Sequence, residues 1–287
     1  MTINQGRVGI CTDTTACLSP ETLEVHRIEN VPQVVLFGED SYLEEVEITY
    51  PEFIRRLKAS PELPKTAAPP PGEFVKAYSR LFERADTVLS IHPSAEVSGT
   101  VRSAMTAREE SYPDADIRII DTRSVGGNTA ASVVCAAEWA EQGCSADEIE
   151  HRIRELIPRG RTYFVVATLE YLRRGGRIGG ASHLIGSALQ IKPLLHLQDG
   201  RVEVLEKVRT QQRALARLRE LVADECPRSP EAHLCVMHAD DLAGAEELAC
   251  DLQAALGIGH IPIMHLGAAI TTHGGPGTLG ACFHAGA

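Results

Sequence analysis

Ser90-Ile91-His92-Pro93-Ser94-Ala95-Glu96-Val97-Ser98-Gly99-Thr100 is the stretch on which the reading of this chain turns. It follows the apolar run Thr87-Val88-Leu89 and precedes Val101 to Glu110, whose spacing predicts a helix. Hydroxyls and a glycine at a strand-to-helix turn stand where the first amides of a helix lack partners, so the loop suits an anion. The same residues also fit a plain capped helix with Ser98 or Thr100 at the N-cap. A second hydroxyl, Thr66, and the glycine-rich His273-Gly274-Gly275-Pro276-Gly277 lie far off in sequence. With the Ser98 turn they make three loops able to converge on one carboxylate or phosphate.

Working outward, strand and helix signals alternate. Val8 to Cys11 reads as a strand ending at Thr12-Asp13-Thr14-Thr15, with a helix starting near Ser19-Pro20-Glu21. Val31 to Phe37 reads as a second strand, Thr87 opens a third, and Ile117 to Ile120 is a fourth that ends at Asp121. Helical patterns fall at Tyr50 to Lys58, Gly72 to Arg84, Val101 to Glu110 and Ala130 to Gln142. This alternation predicts a parallel sheet with crossover helices. Such sheets bind ligands beyond the carboxyl ends of their strands, where Asp13, Ser94 and Asp121 fall.

The five prolines between Ser60 and Pro71 predict an ordered, extended loop that holds Thr66 in place, or else a plain surface linker. After the helix Ala146 to Ile157 the pattern changes. Thr162 to Thr168 is strand-like, and Ala181 to Leu189 looks helical and apolar. Asp199-Gly200 between Leu194–Leu197 and Val202–Leu205 is a hairpin signal, because type I′ turns need residues tolerant of positive φ. A helix at Thr210 to Glu225, strands at Leu234–Met237 and Ile261–Met264, a helix at Leu242–Leu256 and a last strand at Ala281–His284 complete the reading. The hairpin makes this second sheet mixed, which sets a boundary near Gly160: domains at 1–160 and 161–287. The expected fold class is α/β, with a three-layer parallel-sheet domain followed by a two-layer mixed-sheet domain.

At 287 residues the chain is comfortable for two cores. A net charge of -11 argues against a general nucleic-acid or anionic-membrane binder. The eight cysteines form no C-x-x-C pair and sit mostly in apolar runs, so buried free thiols in a reducing compartment are expected rather than disulfides or zinc. Met1 to Arg7 is too short and polar for a secretory leader, and no apolar run approaches the roughly 18 residues of a membrane span. A cytoplasmic protein that is not integral to the membrane is expected.

No serine stands in G-x-S-x-G, and neither a phosphate-binding G-x-x-x-x-G-K-[ST] nor H-E-x-x-H occurs. Gly126-Gly127-Asn128 lacks dinucleotide-loop spacing and reads as a helix entry. Asp13 invites a phosphohydrolase nucleophile reading, but its neighbours Thr12, Ala16 and Cys17 bring no further carboxylate, which favours a loop-bracing Asp. Asp240 and Asp241 after His238 read first as helix caps and only secondarily as metal ligands. His273 can donate to a carboxylate or acyl oxygen and respond to its charge, or can simply sit on a tight turn. Arg173, Arg174, Arg177, Lys207, Arg209, Arg213, Arg217 and Arg219 form a basic set in an acidic chain: a solvated face, or a docking surface for an acidic partner.

Together these motifs resemble the DegV family of bacterial fatty-acid-binding proteins. The marks are Cys11-Thr12-Asp13-Thr14-Thr15, Thr66 with Pro69-x-x-Gly72-Glu73-Phe74, the Ser98-Gly99-Thr100 turn and Leu169-Glu170-Tyr171-Leu172-Arg173-Arg174-Gly175-Gly176-Arg177-Ile178. Ile191-Lys192-Pro193, Asp199-Gly200, Glu206-Lys207-Val208-Arg209 and the His273 glycine run follow in family order. The resemblance implies two α/β domains with a long-chain fatty acid, such as palmitate or oleate, in a tunnel between them. It implies a carboxylate held by Thr66 and Ser98, with Ser94, Gly99, His273 and Gly274 beside it. It further implies a lipid-binding carrier with no cofactor and no independent catalysis. Such a carrier presents its acid to a separate ATP-binding fatty acid kinase subunit for phospholipid synthesis, docking through Arg209, Arg213 and Arg177. Ala67, Ala68 and Ala95 depart from the family pattern of hydroxyl and amide residues. The alternative carried beside this is a phosphohydrolase or small-molecule kinase using Asp13 or His273.

Each buried methylene contributes about 0.8 kcal/mol, so the tail would dominate affinity while the head group sets register. The apolar stretch Ala181 to Leu195 is the expected tunnel wall, or alternatively ordinary core helix.

Overall fold

The computed structural model describes residues 6–184 and 192–286. Four parallel strands form the first sheet: β1 (Val8–Asp13), β2 (Glu29–Val31), β6 (Thr87–His92) and β7 (Ile117–Asp121), in the order β2-β1-β6-β7. Side chains alternate across it, as strand geometry dictates. Ile10, Leu89, Ile91 and Ile120 pack against α5 (Gly127–Glu141) and α6 (Ala146–Leu156). Cys11, Val88 and Ile117 meet α3 (Pro71–Phe82) and α4 (Thr100–Ser111) on the other face. The result is three layers.

The second sheet has six strands in the order β10-β9-β8-β13-β11-β12. They are β8 (Gly160–Val165), β9 (Lys192–Gln198), β10 (Arg201–Val208), β11 (Cys235–Ala239), β12 (Ile263–His265) and β13 (Thr278–His284). Among the described residues only β11 and β12 of this sheet pair in parallel, so the sheet is mixed. One face, with Tyr163, Val165, Leu279, Ala281 and Phe283, is covered by α8 (Gln211–Glu225) and α9 (Leu242–Leu256). The hairpin falls at Asp199-Gly200, both at positive φ (50° and 81°), the geometry a type I′ turn requires.

The structure corrects three sequence readings. Val31 to Phe37 is not one strand. Gln33 follows Pro32, which cannot donate to a ladder, and the chain leaves the parallel sheet there. It re-enters a separate antiparallel sheet, β4-β3-β5, made of β3 (Val34–Phe37), β4 (Asp40–Leu43) and β5 (Lys65–Ala67). Within the proline-rich segment Thr66 lies on β5, an edge strand of this sheet, opposite Val35. His273 is not in a glycine loop either. It occupies the last turn of α10 (Ala268–Gly274), which packs on α2 (Tyr50–Ala59), α7 (Glu170–Arg174), β3 and β5. Of the expected apolar helix Ala181 to Leu189, only a 3-10 turn at Gly179–Leu184 is described, and residues 185–191 lie outside the described residues.

All eight cysteines are free. Among the described residues no helix is long and apolar enough to cross a membrane.

Candidate functional site

A cavity of about 1020 Å³, counting its open mouth, lies between the carboxyl edge of the parallel sheet and the uncovered face of the mixed sheet. Its polar end gathers Thr66, Ser98, Gly99, Arg177, His273 and Gly274. Its walls are mostly apolar, with Phe164, Leu172, Leu197, Val202, Met237, Leu266 and Ile270, interrupted by Thr15, Gln33, Thr162 and Thr278. Strand alternation explains the walls. On β8 and β13, Tyr163, Val165, Leu279 and Ala281 enter the helix-covered core, which leaves Thr162, Phe164, Thr278 and Gly280 facing the cavity.

Thr66 and His273, 207 residues apart, share a hydrogen bond of 2.7 Å between Oγ1 and Nε2. β5 holds the threonine and α10 the histidine, and the packing of α10 against β5 makes the pair. Burial, and secondarily the nearby Arg177 charge, push the His273 imidazole down to about 4, so it is neutral at pH 7. Its Nδ1 is buried without a hydrogen-bond partner. The ring fits only because residue 175 is glycine: a Cβ there would stand 2.9 Å from its Cε1.

Ser98 sits in the turn after β6. Its Oγ lies 2.7 Å from Thr100 Oγ1 and accepts the Thr100 amide at 3.3 Å. Behind it lies a network with no exposed member. Gln33 Nε2 donates to Thr100 Oγ1 and to Asp13 Oδ1, each at 2.8 Å, and His92 Nδ1 meets Asp13 Oδ2 at 2.8 Å. Asp13 also accepts from the amide and hydroxyl of Thr15. It is fully buried with both oxygens occupied and braces the loop rather than facing the cavity.

The other expected site residues separate. Ser94 is fully buried outside the cavity lining, and its hydroxyl donates to the Gly200 carbonyl at 2.9 Å, pinning the β9–β10 hairpin. Arg177, expected on a docking face, lies in the cavity wall with Nε on the Val97 carbonyl at 2.9 Å and Nη1 on the Gly175 carbonyl at 2.7 Å. Arg209 and Arg213 are exposed, before and within the first turn of α8. Of the expected tunnel wall, Ala181, Leu194 and Leu195 belong to core clusters and Leu184 is buried, none of them lining the cavity, while residues 185–191 lie outside the described residues. Asp241 caps α9 through the Gly244 amide, and Asp240 pairs with Lys58. Ala67 and Ala68 line the cavity mouth, whereas Ala95 is exposed to solvent.

Sequence reasoning missed Gln33 as a cavity residue and the walls on β8, β9, β10 and β11. A signal existed in Thr162-Tyr163-Phe164-Val165, where both alternating faces are largely apolar, as in a strand covered on both sides.

An α/β protein with a parallel and a mixed sheet, and a mostly apolar cavity that carries hydroxyls and a neutral histidine in its lining, has the form of a binding protein for a small amphipathic molecule. The family model described as "Uncharacterised protein, DegV family" matches residues 7–285, and this chain belongs to the DegV family. A DegV domain-containing protein of Streptomyces coelicolor is 40% identical over 95% of this chain and 96% of its own length. Protein DegV of Bacillus subtilis is 34% identical over 96% of this chain and 98% of its own. Among solved structures, a DegV family protein from Thermus thermophilus described by its fatty acid binding superimposes with a TM-score of 0.87 at 31% identity, covering 97% of this chain and 99% of that one. DegV from Bacillus subtilis, described as a fatty acid binding protein, gives 0.86 at 33% identity, covering 98% and 100%.

Proposed function

We propose that this chain binds a long-chain fatty acid in the cavity, its carboxylate received by the hydroxyls of Thr66 and Ser98 and its tail laid along the mixed sheet. One observation carries the reading: hydroxyls from two distant segments, Thr66 and Ser98, line one cavity whose remaining walls are mostly apolar. The fatty acid binding described for the Thermus and Bacillus relatives supports it. In this reading the cavity lies between domains at 1–160 and 161–287. Gly99 and Gly274 let backbone approach the head group, His273 orients Thr66, and Arg177 supplies positive charge beside it. Each hydrogen bond to a charged carboxylate contributes about 1.5–3 kcal/mol, while the tail supplies most of the affinity.

The protein so read is a cytoplasmic carrier that performs no chemistry alone. It presents the bound carboxylate to a separate ATP-binding kinase subunit for acyl-phosphate formation, with exposed Arg209 and Arg213 as the docking contacts. Because Asp13 is buried with its oxygens occupied, nothing in the site favours a phosphohydrolase.

Organic-solvent extraction of gently purified protein, followed by mass spectrometry, tests the reading. A saturated or unsaturated long-chain acid near one per chain is expected. No acid in the extract, together with no uptake of added palmitate or oleate, overturns it.

A further inference from the structure

The hydrogen bonds behind Ser98 have a direction. Asp13 stands at their centre, its two oxygens accepting from Thr15 N (3.1 Å), Thr15 Oγ1 (2.6 Å), Gln33 Nε2 (2.8 Å) and His92 Nδ1 (2.8 Å). On the far side, His92 Nε2 meets Ser90 Oγ at 2.6 Å, and Ser90 meets the Tyr78 hydroxyl at 2.8 Å. Asp13, His92, Ser90, Tyr78 and Thr100 are fully buried and Gln33 is 3% exposed, so water does not compete for these groups.

Donor and acceptor roles then follow by elimination. An amide flip at Gln33 would set its Oε1 against the Asp13 carboxyl, so its NH2 faces Asp13. The second N–H of that NH2 goes to Thr100 Oγ1. Thr100 therefore accepts from Gln33, and its own proton goes to Ser98 Oγ at 2.7 Å. Ser98 Oγ accepts that proton and the Thr100 amide. Its remaining proton is left for the cavity it lines.

We infer that Asp13, Gln33 and Thr100 form a positioning relay that fixes Ser98 as an obligate donor, so that the site selects an anionic, acceptor-only head group over neutral and cationic ones. The inference rests on the fatty-acid reading and extends it to residues that never touch the ligand's charge. Thr100 and Asp13 act only through Ser98. A carboxylate accepts from Ser98 at full strength, an alcohol accepts weakly, and an ammonium has nothing to accept with.

Dissociation constants for palmitate, 1-hexadecanol and hexadecylamine, measured on the full chain and on Thr100→Val and Thr100→Ser, test the relay. In the unaltered protein palmitate is expected to bind tightest and hexadecylamine weakest. Thr100→Val is expected to weaken palmitate about tenfold, the worth of one hydrogen bond to a charged group, and to change hexadecanol less than about twofold. Thr100→Ser, which keeps the hydroxyl, restores palmitate binding. If Thr100→Val does not fold, Thr100→Ala removes the same hydroxyl with less bulk and carries the same expectation. Equal losses for palmitate and hexadecanol, or palmitate binding unchanged, overturn the relay alone. No palmitate binding by the unaltered protein overturns the fatty-acid reading, and the relay with it.

Discussion

The two hydroxyls in the cavity lining, Thr66 and Ser98, are held in opposite ways. Ser98 ends a chain of fully buried groups that runs through Thr100 and Gln33 to a carboxyl with four donors. Thr66 lies on a three-residue edge strand, and the bond that aims it is a single contact with a histidine on another element. One side is fixed before any ligand arrives, and the other depends on how α10 seats against β5. On the fatty-acid reading, a site that both grips and releases an acyl chain gains from that asymmetry, since motion is concentrated in the elements with fewest buried contacts.

The largest expected effect comes from breaking the fixed side. Asp13→Ala strands the donors of Gln33, His92 and Thr15 in full burial, and urea denaturation should show a loss on the order of 3–5 kcal/mol. A loss below about 1 kcal/mol would erase the contrast between the two sides.

Breaking the adjustable side should instead show in binding. Thr66→Val is expected to weaken palmitate by about 1.5–3 kcal/mol in a displacement titration while the unfolding free energy shifts by less than about 1 kcal/mol.

The histidine adds a pH dependence. Burial holds the His273 imidazole down to about 4, below its ordinary value of 6.5, so folding favours its neutral form. Its contribution is fully present above pH 6.5 and is lost as pH falls from 6.5 through 4. Unfolding curves of the unaltered protein and His273→Gln should therefore diverge across that window, by on the order of 2 kcal/mol after discounting partial exposure. Parallel curves would mean that the ring is solvated.

The smallest effect sharpens the boundary of the site. Ser94→Ala removes the bond to the Gly200 carbonyl and the one accepted from the Glu96 amide, neither of them in the cavity lining, so palmitate affinity should stay within about twofold and stability should fall by about 1–2 kcal/mol. A tenfold loss of affinity would return Ser94 to the head group.

Much of this architecture is legible in the chain because local signals and global fold agree there. Strand–helix alternation up to Ala146, the Asp199-Gly200 turn and the hydroxyl turn after β6 all report what they build. The losses have physical causes. Pro32 divides an apolar run that reads as one strand, because seven apolar-rich residues do not reveal which sheet each half joins. β5 is three residues long, too short for any alternation to register, and it carries Thr66. α10 is a seven-residue helix of Ala, Ile and Thr with two glycines behind it, so His273 reads as loop although it is the last helical turn. Gln33 carries no motif at all. Its role appears only when β2 and β6 place it between Asp13 and Thr100. Arg177 follows the same logic: one more arginine in a basic run, sent into the cavity wall by the turn at Gly175-Gly176.

A crystal structure of the chain grown with palmitate tests the central claim most directly. The account predicts carboxylate oxygens within about 3.2 Å of both Thr66 Oγ1 and Ser98 Oγ, with the tail enclosed among Phe164, Leu197 and Val202. A head group bound elsewhere, or a tail lying on the outer surface with the cavity unfilled, would contradict it.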